Sequence, residues 1–199
     1  MARPAQFDRA EVLDHVMNLF WEKGYATTGM ATVLERARLQ PGSLYAAFKS
    51  KRSLYQEALH LYGQSSVANV QEMLLHAGHD YPGGIRNFLS PVAEQTQKPM
   101  SLRSCFLVNT LMEVTRHDAE LGAQAAGYFR QIEQSLVEFL ERAAEEGVLA
   151  KGQDPACVAA LILTFSWGMR VAGMTEPDLS RMFAQIDWLL ERMFVVSAA

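Results

Sequence analysis

An all-α fold of about nine helices is what this sequence predicts, and three observations predict it. Apolar residues recur at helical spacing through most of the 199 residues. Helix-entry signals (Asp, Ser or Pro just before an apolar run) and glycine stops separate those runs. No alternating strand pattern of useful length, internal repeat or low-complexity tract interrupts them.

The elements follow in order. Asp8-Arg9-Ala10-Glu11 reads as a capping box, and Val12, Val16, Leu19 and Phe20 then share one helical face. Gly24 ends that helix, and Thr28 is expected to cap a short second one holding Val33 and Leu34. Pro41 suits the first turn of a third helix, where its missing N–H costs nothing. Leu44, Tyr45 and Phe48 are its apolar side, and Ser50 can cap a fourth helix from Lys51. "AGHDYPGG" reads as a turn cluster, with helical periodicity resuming near Ile85 and stopping before Pro99. Further helices are expected over 102–116, 118–146, 155–173 and 178–196.

Composition bounds the function. Charged residues make up 20% and hydrophobic residues 49%, globular values. Residues 1–53 carry eight cations against five acids, a balance of +3, whereas the remainder is −7. A basic head on an acidic body points to a polyanion that meets only the head. No apolar run is long enough to predict a membrane partner, and no secretory leader is evident, so a cytoplasmic protein is expected. Cys105 and Cys157 are too isolated for a disulfide framework or zinc site, and His76, His79 and His117 lack ligand spacing; no metal or cofactor is expected. An all-α enzyme is the distant alternative, and the sequence offers it no nucleophile–base signature or phosphate loop.

The stretch "LQPGSLYAAFKSKRSLY", residues 39–55, carries the functional signal. Two short helices joined by a tight turn and followed by a cationic helix start make a helix-turn-helix, whose second helix enters the major groove. Gln40, Pro41, Gly42 and Ser43 then form the reading edge: Gln40 can pair with a base edge at two points and Gly42 permits close approach. Tyr45, Lys49 and Lys51 are placed for the phosphate backbone, as are Thr27 and Thr28 at the second helix. A helical adaptor without DNA binding would tend to lack these polar anchors.

Residues 8–60 resemble the DNA-binding domain of the TetR family of one-component repressors. "LFWEKGYATTGM" is similar to that family's aromatic-Gly-Tyr-x-x-Thr entry to the second helix, and "GSLYAAFKSKRSLY" to its Gly-Ser-Leu-Tyr-x-x-Phe-x-x-Lys signature. The resemblance implies a DNA-binding domain over 1–53 and a helical ligand-binding and dimerisation domain over 54–199. It implies Tyr45 and Lys51 as backbone anchors and Phe48 as the plug of the head. Two features depart from the pattern: Ala47 stands where many members have His, and "ATVLERAR" lacks the usual Ile-Ala and Ala-Gly-Val spacing. The Arg-Pro opening resembles an arm that would carry Arg3 toward a minor groove.

In the body, the resemblance implies that the last two helices pair with those of a second copy. The expected interface is Leu161, Phe165, Gly168, Met169, Met182, Phe183, Ile186 and Leu189. It also implies an apolar effector cavity, for which Tyr62, Phe88, Cys105, Phe106, Asn109, Met112, Tyr128 and Trp167 are the candidates. "RSCFLVNTLMEV" resembles a subgroup that includes the N-ethylmaleimide-responsive repressor, so Cys105 has an alternative role as a thiol sensor of electrophiles or oxidants. The expectation is a homodimeric repressor on a palindromic operator, released by an unidentified small molecule.

Overall fold

The computed structural model describes residues 8–98, 105–175 and 177–195. Nine helical elements run through them: α1 (Arg9–Lys23), α2 (Met30–Ala37), α3 (Pro41–Phe48), α4 (Lys51–Ala77), α5 (Tyr81–Gln95), α6 (Phe106–Asn109), α7 (Ala119–Glu145), α8 (Pro155–Thr175) and α9 (Leu179–Met193). The short α6 continues directly as a π turn over Thr110–Val114. The extended backbone described is a single antiparallel bridge between Leu149 and Phe194. The expected Arg3 arm lies outside the described residues.

Local signals set most boundaries. Asp8 accepts from the N–H groups of Ala10 and Glu11, and Gly24 closes α1 at φ 81°. Pro41 opens α3, and the Ser50 hydroxyl accepts from Ser53 N at 3.1 Å at the start of α4. Two expectations are corrected. The residue capping α2 is Gly29, with no side-chain bond; the Thr28 hydroxyl instead donates to Gly24 O at 2.6 Å. Helix α5 starts at Tyr81, four residues before the expected Ile85, because Asp80 caps it by accepting from Gly83 N and Pro82 fits its first turn.

The chain forms two compact units. The first comprises residues up to Gln64 together with Phe106–Ala126, more than the 1–53 head expected. Tyr55 shows why. It is buried among Phe20, Tyr25 and Phe106, with ring centroids 5.0, 4.7 and 5.2 Å away. Its hydroxyl lies 2.7 Å from that of Thr110. The first turns of α4 and the α6–π segment therefore complete the same core as α1–α3, whose buried members include Val16, Leu19, Val33, Leu44 and Phe48.

The second unit takes residues 65–105 and 127 onward. Within it α5 packs on both α8 and α9. Close approach is set by small residues: a Cβ on Gly84 would lie 2.6 Å from the Phe139 ring, and one on Gly173 would lie 2.2 Å from Thr96 Cγ2. Arg86 is paired with Asp187, and Arg170 donates to Gln95.

Candidate nucleic-acid interface

Helix α3 has two sides of opposite character. Leu44 and Phe48 are buried, which fixes the helix on the head. Gln40, Pro41, Gly42, Ser43 and Tyr45 are all exposed, and a Cβ on Gly42 would meet nothing within 4 Å. The expected reading edge is thus a continuous accessible strip at the N-terminal end of α3. Lys49 is exposed at the other end.

Lys51 is half-buried rather than free-standing. Its ammonium sits 4.4 Å above the Tyr25 ring and 3.5 Å from Ala26 O. Burial pulls its pKa below the ordinary 10.5, and the nearby Glu113 carboxylate opposes that shift. Thr27 is exposed, its hydroxyl donating to Lys23 O. Thr28 is wholly buried, so its side chain is a core group and not a phosphate contact; that assignment is corrected.

The π turn holds the loop before α2. Glu113 accepts from Tyr25 N at 3.1 Å and from Ala26 N at 2.8 Å, one oxygen to each donor. Arg52, next to Lys51, donates to Asp118 at 2.6 and 3.2 Å and to Glu120. Asp118 also caps α7 by accepting from Leu121 N. These bonds hold its carboxyl below the ordinary 3.8, with the Arg52 hydrogen bond the largest cause. Sequence reasoning missed both Glu113 and Asp118. The one signal for Glu113 was a lone carboxylate within the apolar run "FLVNTLMEV".

The effector candidates divide between the units: Tyr62, Phe106, Asn109 and Met112 belong to the first, Phe88, Cys105, Tyr128 and Trp167 to the second. Phe106 is fully buried and packed against the Trp21, Tyr55 and Tyr62 rings, so it is core. Met112 is 67% exposed. Tyr62, Phe88, Asn109 and Trp167 are half-buried, and Trp167 meets Phe129 edge-on at 5.0 Å. Tyr128 is buried, as is Cys105. A sensing thiol needs solvent access, so the thiol-sensor alternative is not supported. In the second unit an open groove of about 640 Å³, lined by Asp80, Arg86, Asp187, Glu191 and Phe194 among others, includes none of the eight candidates.

The expected interface residues also divide. Met169, Met182, Ile186 and Leu189 are buried within their own chain, so they are corrected to core positions. Leu161 and Gly168 are exposed, Phe165 and Phe183 half-buried.

Comparison with known proteins decides the family. Residues 12–58 match the model of bacterial regulatory proteins of the tetR family, and residues 84–180 match the tetracyclin repressor-like C-terminal domain. The chain belongs to the TetR family. Among curated relatives, the uncharacterized HTH-type transcriptional regulator YezE of Bacillus subtilis is 28% identical over 94% of this chain and 96% of its own length. The HTH-type transcriptional repressor ComR of Escherichia coli is 22% identical over 90% of this chain and 86% of its own. Among solved structures, a cysteine mutant of the TetR-family regulator CifR, complexed with a 26-bp operator duplex, superposes with a TM-score of 0.81 at 26% identity. That match covers 94% of this chain and 98% of CifR. Reduced E. coli NemR shares the fold alone, with a TM-score of 0.76 at 19% identity over 95% of this chain and all of that one. This TetR-family protein is a transcription regulator.

Proposed function

We propose that this TetR-family protein is a homodimeric repressor that binds a two-fold symmetric operator and leaves it when a small molecule binds. The observation that carries the reading is the exposed strip Gln40–Ser43 on a helix anchored by buried Leu44 and Phe48. Polar groups at the start of a rigidly seated helix are what base-edge readout requires. Operator-bound CifR, alike in fold at 26% identity, supports DNA as the partner. Residues Gln40, Gly42 and Ser43 read bases, while Thr27, Tyr45, Lys49 and Lys51 meet phosphates.

The second copy docks on the outward face of α8. That helix is apolar enough for an 18-residue window of mean hydropathy 1.5, yet only 39% of the window is buried. By length and composition alone it could cross a membrane. The face it leaves open holds Leu161, Gly168 and Val171, and Trp188 of α9 is likewise exposed. Apolar surface with small residues for close approach fits a partner helix, and a dimer places two reading helices on matched half-sites. The effector is a compact, mostly apolar molecule. The protein acts in the cytoplasm.

The test is selection of duplexes from a random pool by the purified protein. Enriched sequences should be palindromic, with half-site centres about one helical turn apart. Gln40→Ala should relax preference at particular bases, and Tyr45→Phe should weaken all sequences alike. Enrichment of a single unpaired half-site refutes the dimeric reading, and enrichment of nothing refutes DNA readout.

A further inference from the structure

Two described residues other than glycine have positive φ, Arg38 at 51° and Lys49 at 61°. Both are cations: Arg38 stands two residues before the segment Gln40–Phe48, and Lys49 directly after it. Arg38 ends α2 in the left-handed conformation, its N–H donating to Glu35 O and Leu34 O. This is the helix-stop position that glycine fills most cheaply, since a Cβ there crowds the backbone. Lys49, at ψ −50°, is the centre of a three-residue turn in which Ser50 N donates to Phe48 O at 2.6 Å. A positive-φ turn of that kind is rare and strained.

The charges of these two side chains are uncommitted, in contrast to their neighbours. Arg9 pairs with Glu57, Arg36 with Glu22, and Arg52 with Asp118 and Glu120. Lys51 lies on Tyr25. Arg38 and Lys49 are exposed and have no ion pair among the described residues. Lys23 is similarly unpaired in the last turn of α1, and Arg38 and Lys49 are the C-cap residues of α2 and α3, so the helix dipole favours a cation at all three. Of the three, Arg38 and Lys49 alone hold their cation on a positive-φ backbone, where glycine would cost less.

We propose that Arg38 and Lys49 are a phosphate clamp straddling the reading helix, each keeping a strained backbone so that a cation stands at each end of α3. The inference rests on the DNA-binding reading above. It adds Arg38, on the turn between α2 and α3, to the contact set, and it gives Lys49 the same role at the far end. Arginine can grip a phosphate through two parallel N–H donors, whereas lysine offers a point charge. The contacts carry no sequence information themselves. They fix the register in which Gln40 and Ser43 address the bases.

The experiment compares wild type, Arg38→Gly, Lys49→Gly and Arg38→Lys on two probes: a duplex enriched from the random pool by the wild type, and an unselected duplex of equal length. Each glycine variant should bind the selected duplex roughly tenfold or more weakly, as loss of a charge-assisted bond implies. Its log-affinity against log-salt slope should become shallower by about 0.9 for each phosphate that is no longer neutralised. Its melting temperature should be no lower than that of wild type, because the backbone strain is relieved. Arg38→Lys should retain part of the affinity and the wild-type salt slope. Undiminished binding by Arg38→Gly, with the salt slope unchanged, overturns the clamp while leaving the repressor reading intact. Weaker binding together with a lower melting temperature overturns it too, because the cation would then be structural. A wild type that binds neither duplex defeats the DNA-binding reading itself.

Discussion

Glu113 and Ala26 are joined by a 2.8 Å hydrogen bond, carboxylate to backbone N–H, across 87 positions of sequence. The other carboxylate oxygen takes Tyr25 N, so one side chain on the π turn fixes the loop that leads into the helix-turn-helix. A Cβ on Gly24 would lie 3.0 Å from the same carboxylate, which ties the glycine to the contact as well as to its φ of 81°. Glu113→Ala should lower stability by about 1–3 kcal/mol, the cost of leaving such donors without their acceptor. Glu113→Gln, which keeps one acceptor oxygen, should lose less. Urea unfolding midpoints would order the three proteins, and equal midpoints would contradict the role assigned to Glu113.

Asp118 makes the acid limb of stability specific. Its folded pKa is depressed below the ordinary 3.8, chiefly by the Arg52 hydrogen bond. Folding therefore gains from the carboxylate above about pH 4, and that gain disappears as pH falls through the lower folded value. The advantage of the wild type over Asp118→Asn should be full at neutral pH and shrink below about pH 4. Thermal melts at a series of pH values would show the two curves converging. A constant gap down to about pH 2 would mean that the pair does not act through ionisation.

Gly168 and Gly173 lie on one helix in opposite settings. An added Cβ at Gly168 meets nothing within 4 Å, whereas at Gly173 it collides with Thr96. Gly173→Ala should destabilise by roughly 1–3 kcal/mol through overpacking. Gly168→Ala should leave the fold of one chain unharmed, since alanine is the better helix former. Denaturation of both variants in parallel checks the contrast; equal destabilisation would refute it.

Association should follow the open face of α8. Leu161→Glu or Val171→Glu places a charge at positions that are 50% and 54% exposed within one chain. Light scattering should report monomers whose circular dichroism remains helical. Ile186→Ala, at a fully buried position, should instead cost about 2–5 kcal/mol of folding stability. Variants that remain dimeric would place the interface elsewhere.

The elements legible in the sequence were those governed locally. Asp8, Gly24, Pro41 and Ser50 mark helix ends through bonds or dihedrals within a few residues of themselves. Thr28 misled because its hydroxyl had a choice between capping α2 and bonding back to Gly24 O, and packing of the head made that choice. The periodicity of α8 and α9 showed wide apolar faces without telling which side the chain itself covers. Met169 and Ile186 therefore passed for interface until their burial was seen. The reading edge was legible because one helix start supplies all of it. Glu113 was not, since its partners lie far away in sequence.

The π turn has a consequence for how this protein tolerates length change. Thr115 N bonds to Thr110 O, five residues back, so the segment carries one residue more than an α-helical turn would need. Removing a single residue from Thr110–Val114 would let the backbone relax into regular α-helix with no bond broken. Later side chains would keep their phase relative to Phe106, because residue i+5 of a π turn stands where residue i+4 of an α-helix would. Asp118 would stay with Arg52, and the change would fall on the turn itself, from which Glu113 reaches Tyr25 and Ala26. The surplus residue is thus a local matter: it bears on the Glu113 contact and leaves the helix beyond it in register.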